Sequence, residues 1–332
     1  MKLRMLLGLF AISFAARAED ILLVLSKADQ TLSMVDPSSM KVMAKMPSGP
    51  DPHEVTASSD GKLAFISNYG GGAYNTISVI DLVEHKALPA VDLGPLRGPH
   101  GLMFAGGKAW FTAEAAKVIG SYDPASKKVD WILGTGQNRT HMIYVFDDLK
   151  RLVTSNVSSA TMTMIEKTAA GGQGRGPGRG PREDWDETVI PVGRGAEGFD
   201  VSPDGKEIWA ANAGDGTISI VNVASKKVSE TLSGANVNGA NRLKFTPDGK
   251  LVFVSTLSGP DAAVFDVASR KEVKRIPVGR GAAGIQMQPN GARAFVACTP
   301  NDYVAIIDLK SMSVTGHLDA GKQPDGMAWA KR

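Results

Sequence analysis

An internal repeat of just over 40 residues constrains the fold of this 332-residue chain more than any other feature. Its marker is an Asp-Gly or Asn-Gly turn, at Asp204-Gly205, Asp248-Gly249 and Asn290-Gly291, with an earlier copy at Asp60-Gly61. Such turns join neighbouring antiparallel strands. Each unit also contains four short runs rich in Val, Ile and Phe, and four short strands in a period of this length are typical of a β-propeller blade.

The number of blades follows from the number of first strands. Seven such strands are predicted, and they start near the equivalent residues His53, His100, His141, Glu197, Asn241, Ala283 and Asp325. The chain ends soon after the seventh, and three further strands are predicted at its other terminus, over residues 21–25, 31–36 and 41–44. The sequence therefore predicts an all-β, seven-bladed β-propeller, in which one C-terminal strand joins three N-terminal strands and closes the ring.

Two segments of the repeat carry a resemblance to a known family. Residues 65–68 (Phe-Ile-Ser-Asn) with 76–81, and residues 209–212 (Trp-Ala-Ala-Asn) with 217–222, resemble the YVTN-type, 40-residue-repeat family of seven-bladed propellers. That family and its relatives include surface-layer proteins, lactonase-type enzymes, DNA-binding periplasmic proteins and the haem-carrying propeller of a nitrite reductase. The resemblance implies the fold and leaves the function open, because one fold carries many kinds of site.

The N-terminus has the features of a secretory signal. Lys2 and Arg4 precede an apolar stretch over residues 5–16, which is too short for a membrane span and ends at Ala16-Arg17-Ala18. We therefore expect a signal peptide at residues 1–18, a mature propeller over 19–332, and a periplasmic or secreted location. No membrane span is predicted, and a monomer is the default because nothing in the sequence sets the oligomeric state.

Charge and cysteine content exclude some classes of function. The formal net charge of +3 comes from the predicted signal peptide, because residues 19–332 hold 34 basic and 34 acidic side chains. This balance gives no support to a nucleic-acid partner. The single cysteine, Cys298, can form neither an internal disulfide nor a cysteine-type metal site.

One segment departs from the repeat. Residues 169–187 are rich in Gly, Pro and Arg, and such a composition cannot bury a core. We expect a flexible insertion between the third and fourth strands of the third blade, on the rim opposite the histidines.

Three of the five histidines, His53, His100 and His141, fall at the same position of successive repeats, and Glu197 follows at that position in the next repeat. Equivalent residues of neighbouring blades face one another, so these side chains are expected to converge where the innermost strands begin, at one rim of the central channel. We call this end of the channel the histidine rim.

Polar and cationic side chains are predicted to surround the same rim. Arginines lie in or directly after the loops that lead into the inner strands, and asparagines end several second strands, with Tyr69 and Glu114 adjacent to second-strand ends. Guanidinium groups favour carboxylate or phosphate ligands, because their planar fork matches paired oxygens. The sequence thus predicts an anionic small-molecule ligand and the following contacts: Arg97, Arg139, Arg194, Arg242, Arg280, Asn68, Asn156 and Asn212.

Three interpretations of the histidines remain open. In the first, His53, His100 and His141 bind a divalent transition metal (zinc, copper, nickel or iron), with Glu197 as fourth ligand or as base. In the second, His141 and Glu197 perform acid–base catalysis without a metal, assisted by the arginines. In the third, the histidines only hydrogen-bond to backbone groups between blades.

The first two interpretations lead to an enzyme, and the sequence also permits a protein that only binds. An enzyme would be a hydrolase, lyase or isomerase acting on a sugar acid or a similar carboxylate, a lactonase-like activity in keeping with the family resemblance. The alternative is a non-enzymatic scaffold of the cell envelope that holds protein, polysaccharide or DNA.

Overall fold

A computed structural model describes residues 20–169 and 183–331. The predicted signal peptide and residues 170–182 of the predicted insertion lie outside the described residues. The described chain forms seven four-stranded antiparallel sheets, and the second and third strands of each sheet are almost completely buried.

The sheets follow one another along the chain as blades. In order from the innermost strand outwards, blades 1 to 3 consist of β4 (Pro52–Ala57), β5 (Leu63–Asn68), β6 (Thr76–Asp81) and β7 (Lys86–Asp92); β8 (Pro99–Ala105), β9 (Lys108–Ala113), β10 (Val118–Asp123) and β11 (Lys128–Gly134); β12 (Thr140–Val145), β13 (Arg151–Asn156), β14 (Thr161–Ala169) and β15 (Glu183–Pro191). Blades 4 to 6 consist of β16 (Ala196–Val201), β17 (Glu207–Asn212), β18 (Thr217–Asn222) and β19 (Lys227–Leu232); β20 (Ala240–Phe245), β21 (Leu251–Thr256), β22 (Asp261–Asp266) and β23 (Lys271–Pro277); β24 (Ala282–Met287), β25 (Arg293–Cys298), β26 (Tyr303–Asp308) and β27 (Ser313–Leu318).

The seventh blade closes the ring from both ends of the chain. Its strands are β28 (Pro324–Ala330), β1 (Ile21–Ser26), β2 (Thr31–Asp36) and β3 (Lys41–Pro47), and β28 pairs antiparallel with β1. Successive inner strands pack against one another around the whole ring, including β28 against β4. The seven-bladed propeller and its mode of closure, predicted from the repeat, are confirmed.

Hydrophobic clusters between neighbouring blades hold the ring together. Trp209 of blade 4, for example, is fully buried and packs edge-on against Phe245 of blade 5, with their ring centroids 5.8 Å apart. Cys298 is buried in the cluster between blades 5 and 6, and burial raises the pKa of its thiol to about 11. In the described parts of the chain, the helices are three short 3₁₀ turns, Gly70–Gly72, Val157–Ser159 and Thr299–Asn301, and none could cross a membrane.

The hairpin of blade 3 reaches into both ends of the predicted insertion. Its strands β14 and β15 pair from Thr161 with Pro191 to Ala169 with Glu183. Residue 169 and residues 183–187 therefore belong to strands. Trp185 on β15 packs against Trp131 of blade 2, with ring centroids 5.2 Å apart.

A β-bulge in all seven blades disturbs the inner strand at its second and third residues. In blade 1, Pro52 pairs with Asn68 and Val55 with Ile66, so that two residues, His53 and Glu54, lie opposite one. Bulges re-aim side chains and are frequent beside functional sites. Here the same bulge recurs at the repeat position that carries the three histidines.

Candidate functional site

Two rings of equivalent residues build a cavity at the histidine rim. The first ring is the second residue of each inner strand. The second ring is the residue that directly follows the second strand of each blade: Lys27, Tyr69, Glu114, Val157, Ala213, Leu257 and Thr299. Members of both rings line a cavity of about 370 Å³, which we call the funnel.

Hydroxyl groups on the second strands hold the bulges in place. The Thr112 hydroxyl accepts a hydrogen bond from the Gly101 N–H and donates to the carbonyl oxygen of His141 on the next blade, at 2.9 and 2.7 Å. Ser155 makes the same pair of contacts, to Met142 and to Glu197. The side chains of the first ring therefore depend on hydroxyls that bridge neighbouring blades.

The three imidazoles converge as the repeat predicts. The ring centroids of His100 and His141 are 3.8 Å apart, and those of His53 and His100 are 4.6 Å apart. His100 and His141 are each only 1% exposed. Tyr69 of the second ring stands beside His53 and His100, with its centroid 5.0 Å from each.

His141 lies between two glutamates. Its Nδ1 makes a short contact with Oε1 of Glu114, and its Nε2 is 3.2 Å from Oε1 of Glu197. Burial opposes the charged imidazolium, but hydrogen bonding to Glu114 and the charge of Glu197 outweigh it, so the pKa of His141 is raised. Burial raises the pKa of Glu197, but His141 and Arg139 lower it by more. The net result is a pKa of about 2.

The pKa of His100 is shifted in the opposite direction from that of His141. Burial, together with the charge of His141, holds the pKa of His100 well below its usual value, so the ring is neutral. Its Nδ1 is buried and has no hydrogen-bond partner among the described residues. The Nε2 of His141 is also unpartnered there, because its approach to Glu197 lacks hydrogen-bonding geometry.

The residues best placed to hold a metal are His100, His141 and Glu114. Each offers a ligand atom within 4.8 Å of the other two, and all three are buried. Neutral imidazole nitrogens and a carboxylate suit zinc and the other divalent transition metals. The predicted ligands were His53, His100, His141 and Glu197. Glu114 was expected near the rim but was not predicted as a ligand, because the ligand set was taken from the first ring alone.

His53 is engaged elsewhere. The ammonium group of Lys27 donates a hydrogen bond to His53 Nδ1 at 2.9 Å, and Lys27 also pairs with Asp325 at 3.3 Å and Asp51 at 3.4 Å. Sequence reasoning missed Lys27 altogether. The repeat could have identified it, since Lys27, Tyr69 and Glu114 follow the second strands of successive blades.

A buried ion pair crosses the channel beneath the histidines. Arg242 of blade 5 donates two hydrogen bonds to Glu54 of blade 1, from Nε at 3.1 Å and from Nη2 at shorter distance. Arg242 lines both the funnel and a second cavity further along the channel. Glu54 lines only the second cavity, so the ion pair lies where the two cavities adjoin.

Of the predicted arginines, Arg139 and Arg242 line the funnel. Arg139 donates to Glu197 at 3.1 Å and lies 3.6 Å from Glu114. Arg97, Arg194 and Arg280 are exposed and do not line it. The Arg194 side chain, 80% exposed, pairs with Asp215 of its own blade at 2.7 Å. A ring of guanidinium groups around the funnel is therefore not formed, because the loops carry these three outward.

The predicted asparagines stay within their blades. Asn68, Asn156 and Asn212 are fully buried. The Asn212 amide donates to Thr217 and Ser219 of the neighbouring strand, both at 2.9 Å, and Asn156 bonds in the same way. These side chains tie second strands to third strands, and they do not line the funnel.

Comparison with known proteins supports the fold. No protein-family model matches the sequence, and no curated protein is significantly similar to it. Three solved structures with the same fold are a protein of unknown function from Desulfotomaculum acetoxidans (TM-score 0.76, 14% identity, 94% of this chain and 99% of that one), a proposed 6-phosphogluconolactonase from Bacteroides fragilis (0.72, 16%, 96% and 99%) and the dihydro-haem d1 dehydrogenase NirN (0.63, 14%, 95% and 76%). At these identities the likeness establishes that the chain is a β-propeller and leaves its function to be argued from the funnel.

Proposed function

We propose that this protein is a metal-dependent enzyme that acts on a small anionic substrate, such as a sugar acid or a phosphorylated sugar lactone. One observation carries the proposal: His100, His141 and Glu114 each offer a buried ligand atom within 4.8 Å of the other two, and two imidazole nitrogens there, His100 Nδ1 and His141 Nε2, lack hydrogen-bond partners among the described residues. An unpartnered buried polar atom costs free energy, which a bound ion would recover.

The metal would be held by His100, His141 and Glu114, and it would supply Lewis acidity and a water nucleophile. Tyr69 donates its hydroxyl proton to Glu114 and fixes that carboxylate. Such support of a ligand by a neighbouring hydrogen bond tunes metal affinity. Glu197 stays ionised because of its low pKa, so it can accept a hydrogen bond from a water molecule and orient it for attack.

Arg139 is the residue that would recognise the anionic group of the substrate, a carboxylate or a phosphate. Its side chain is 40% exposed and binds the two glutamates through Nε and Nη2, which leaves donors facing the solvent. A guanidinium in this state can take a further carboxylate. The hydrolytic class is favoured by the metal site and by the likeness to the Bacteroides protein, whose proposed substrate is a phosphorylated sugar lactone.

Elemental analysis of protein purified without a histidine tag tests the metal site. We expect about one equivalent of a divalent transition metal, lost in His100→Ala and retained in the matched control His317→Ala, whose histidine is exposed on an outer strand. Metal-free protein that also fails to bind added zinc, cobalt or manganese would overturn the proposal.

A metal-free enzyme is the second candidate, favoured by the raised pKa of His141. As an imidazolium between Glu114 and Glu197, His141 could act as a general acid. Hydrolysis of sugar lactones, measured before and after treatment with a chelator, separates the two candidates. Activity that survives complete removal of metal supports acid catalysis, and activity restored only by metal supports the first proposal.

We also propose that the protein is exported, on the strength of the predicted signal at residues 1–18. N-terminal sequencing of protein from a cell fractionation tests this. A mature start at Glu19 in the exported fraction is expected, and an intact Met1 terminus in the cytoplasm would contradict it.

A further inference from the structure

The histidine rim contains a second position for a cation, and a lysine of the protein occupies it. Three groups surround the ammonium of Lys27: His53 Nδ1 at 2.9 Å, Asp325 Oδ2 at 3.3 Å and Asp51 Oδ1 at 3.4 Å. One imidazole and two carboxylates are a donor set that divalent metals accept. An ammonium can only donate, so His53 must accept through an unprotonated nitrogen, as it would toward a metal.

The surrounding groups are fixed by the fold. Asp51 has a φ of +43°, a conformation that costs free energy for a residue other than glycine, and its second oxygen accepts the Gly70 N–H at 2.8 Å. The backbone N–H of Lys27 donates a hydrogen bond to the Gln323 carbonyl oxygen at 2.9 Å, which holds Lys27 in place. Asp325 follows on β28, so ring closure itself brings Lys27 and Asp325 to His53.

The charges around the funnel show why a cation is needed there. Among the described residues, five carboxylates lie in or beside the funnel, against the fixed cations Lys27, Arg139 and Arg242: Asp51, Glu54, Glu114, Glu197 and Asp325. Asp325 is 7% exposed. Carboxylates at such depth require a positive partner.

We propose that Lys27 is a built-in substitute for a second metal ion, which keeps His53 from binding metal and makes the funnel a one-metal site. Removal of the ammonium would leave His53, Asp51 and Asp325 without their common partner. A divalent metal would then bind them, after each draws in by about 1 Å to reach metal–ligand distances. The inference adds to the proposed function, but it does not depend on metal at His100.

The test is the metal stoichiometry of Lys27→Ala, measured by titration of the full chain with zinc and cobalt and by elemental analysis. We expect one more equivalent than in the wild type, together with a rise in Tm on metal addition that exceeds that of the wild type. The matched control is Lys62→Ala, which removes an exposed lysine paired with Asp60 far from the funnel and should leave the stoichiometry unchanged.

Two further variants keep the test decisive. Lys27→Arg retains the cation and should keep the wild-type stoichiometry, whereas Lys27→Ala combined with Asp325→Asn should lose the extra equivalent. If Lys27→Ala folds only with metal, the metal requirement itself supports the proposal. Unchanged stoichiometry in Lys27→Ala would overturn it, and so would two equivalents in the wild type. A wild type without metal and a Lys27→Ala variant with one equivalent would instead refute only the proposed function.

Discussion

His53 and His100 occupy the same position of neighbouring repeats, but their surroundings differ. His100 is buried next to His141 and Glu114, with an unpartnered nitrogen. His53 is more exposed and is bound by Lys27. The difference comes from the second ring, which places Glu114 on one side of the funnel and Lys27 on the other. Equal positions in a repeat therefore fix where a side chain lies, whereas residues from other positions decide what it can bind.

The largest expected difference between the two sides is in metal affinity. His100→Ala and His141→Ala should weaken metal binding by on the order of 100-fold or more, because each removes a ligand. His53→Ala should change it by less than about threefold, since Lys27 already holds this ring. Isothermal titration with zinc measures all three. Equal losses for His53 and His100 would show that both sides bind the same ion.

The two glutamates beside His141 sharpen the comparison further. Glu114→Gln should lower metal affinity by about 10- to 100-fold, because the amide is a poorer ligand and no longer pairs with Tyr69 as an anion. Glu197→Gln should lower kcat and leave metal content and Tm nearly unchanged. A large fall in Tm for Glu197→Gln would point to a structural hydrogen-bonding role.

Metal binding on the His100–His141 side should weaken as the pH is lowered. The raised pKa of His141 means that its proton competes with the metal, whereas His100 stays neutral. Below the pKa of His141, the apparent Kd should rise by about tenfold per pH unit, and binding should release a proton. Titrations in buffers of different ionisation enthalpy measure this release. A Kd independent of pH between 5 and 8, roughly the range in which histidine titrates, would exclude His141 as a ligand.

The smallest expected effect concerns the arginines. Arg139→Gln should weaken binding of a sugar carboxylate by about tenfold, or roughly 1.5 kcal/mol, and the loss should shrink as salt rises. Arg194→Gln is the matched control, since that side chain is exposed and pairs with Asp215. Equal losses for both variants would mean that long-range charge, rather than direct contact, attracts the ligand.

Two kinds of position at the funnel differ in how far the sequence revealed them. His53, His100, His141 and Glu197 share one repeat position and carry chemically informative side chains, so their convergence was predictable. Lys27, Tyr69 and Glu114 also share a position, but their side chains have different chemistries. Tyr69 and Glu114 were therefore predicted near the rim without a role, and Lys27 was not predicted at all. The predicted arginines and asparagines show the converse, because position alone does not tell whether a side chain points into the channel, into its own blade or into solvent.

The sequence by itself determined the seven blades, their closure from both termini and the meeting of three histidines, because a repeat with strand periodicity and tight turns permits few other arrangements. Only the tertiary structure decided which imidazoles are free to bind a metal. That choice depends on distances of a few ångströms between residues far apart in the chain, such as Lys27 with Asp325 and Glu54 with Arg242. Burial then sets their charge, because a pKa responds to the neighbours that the fold supplies.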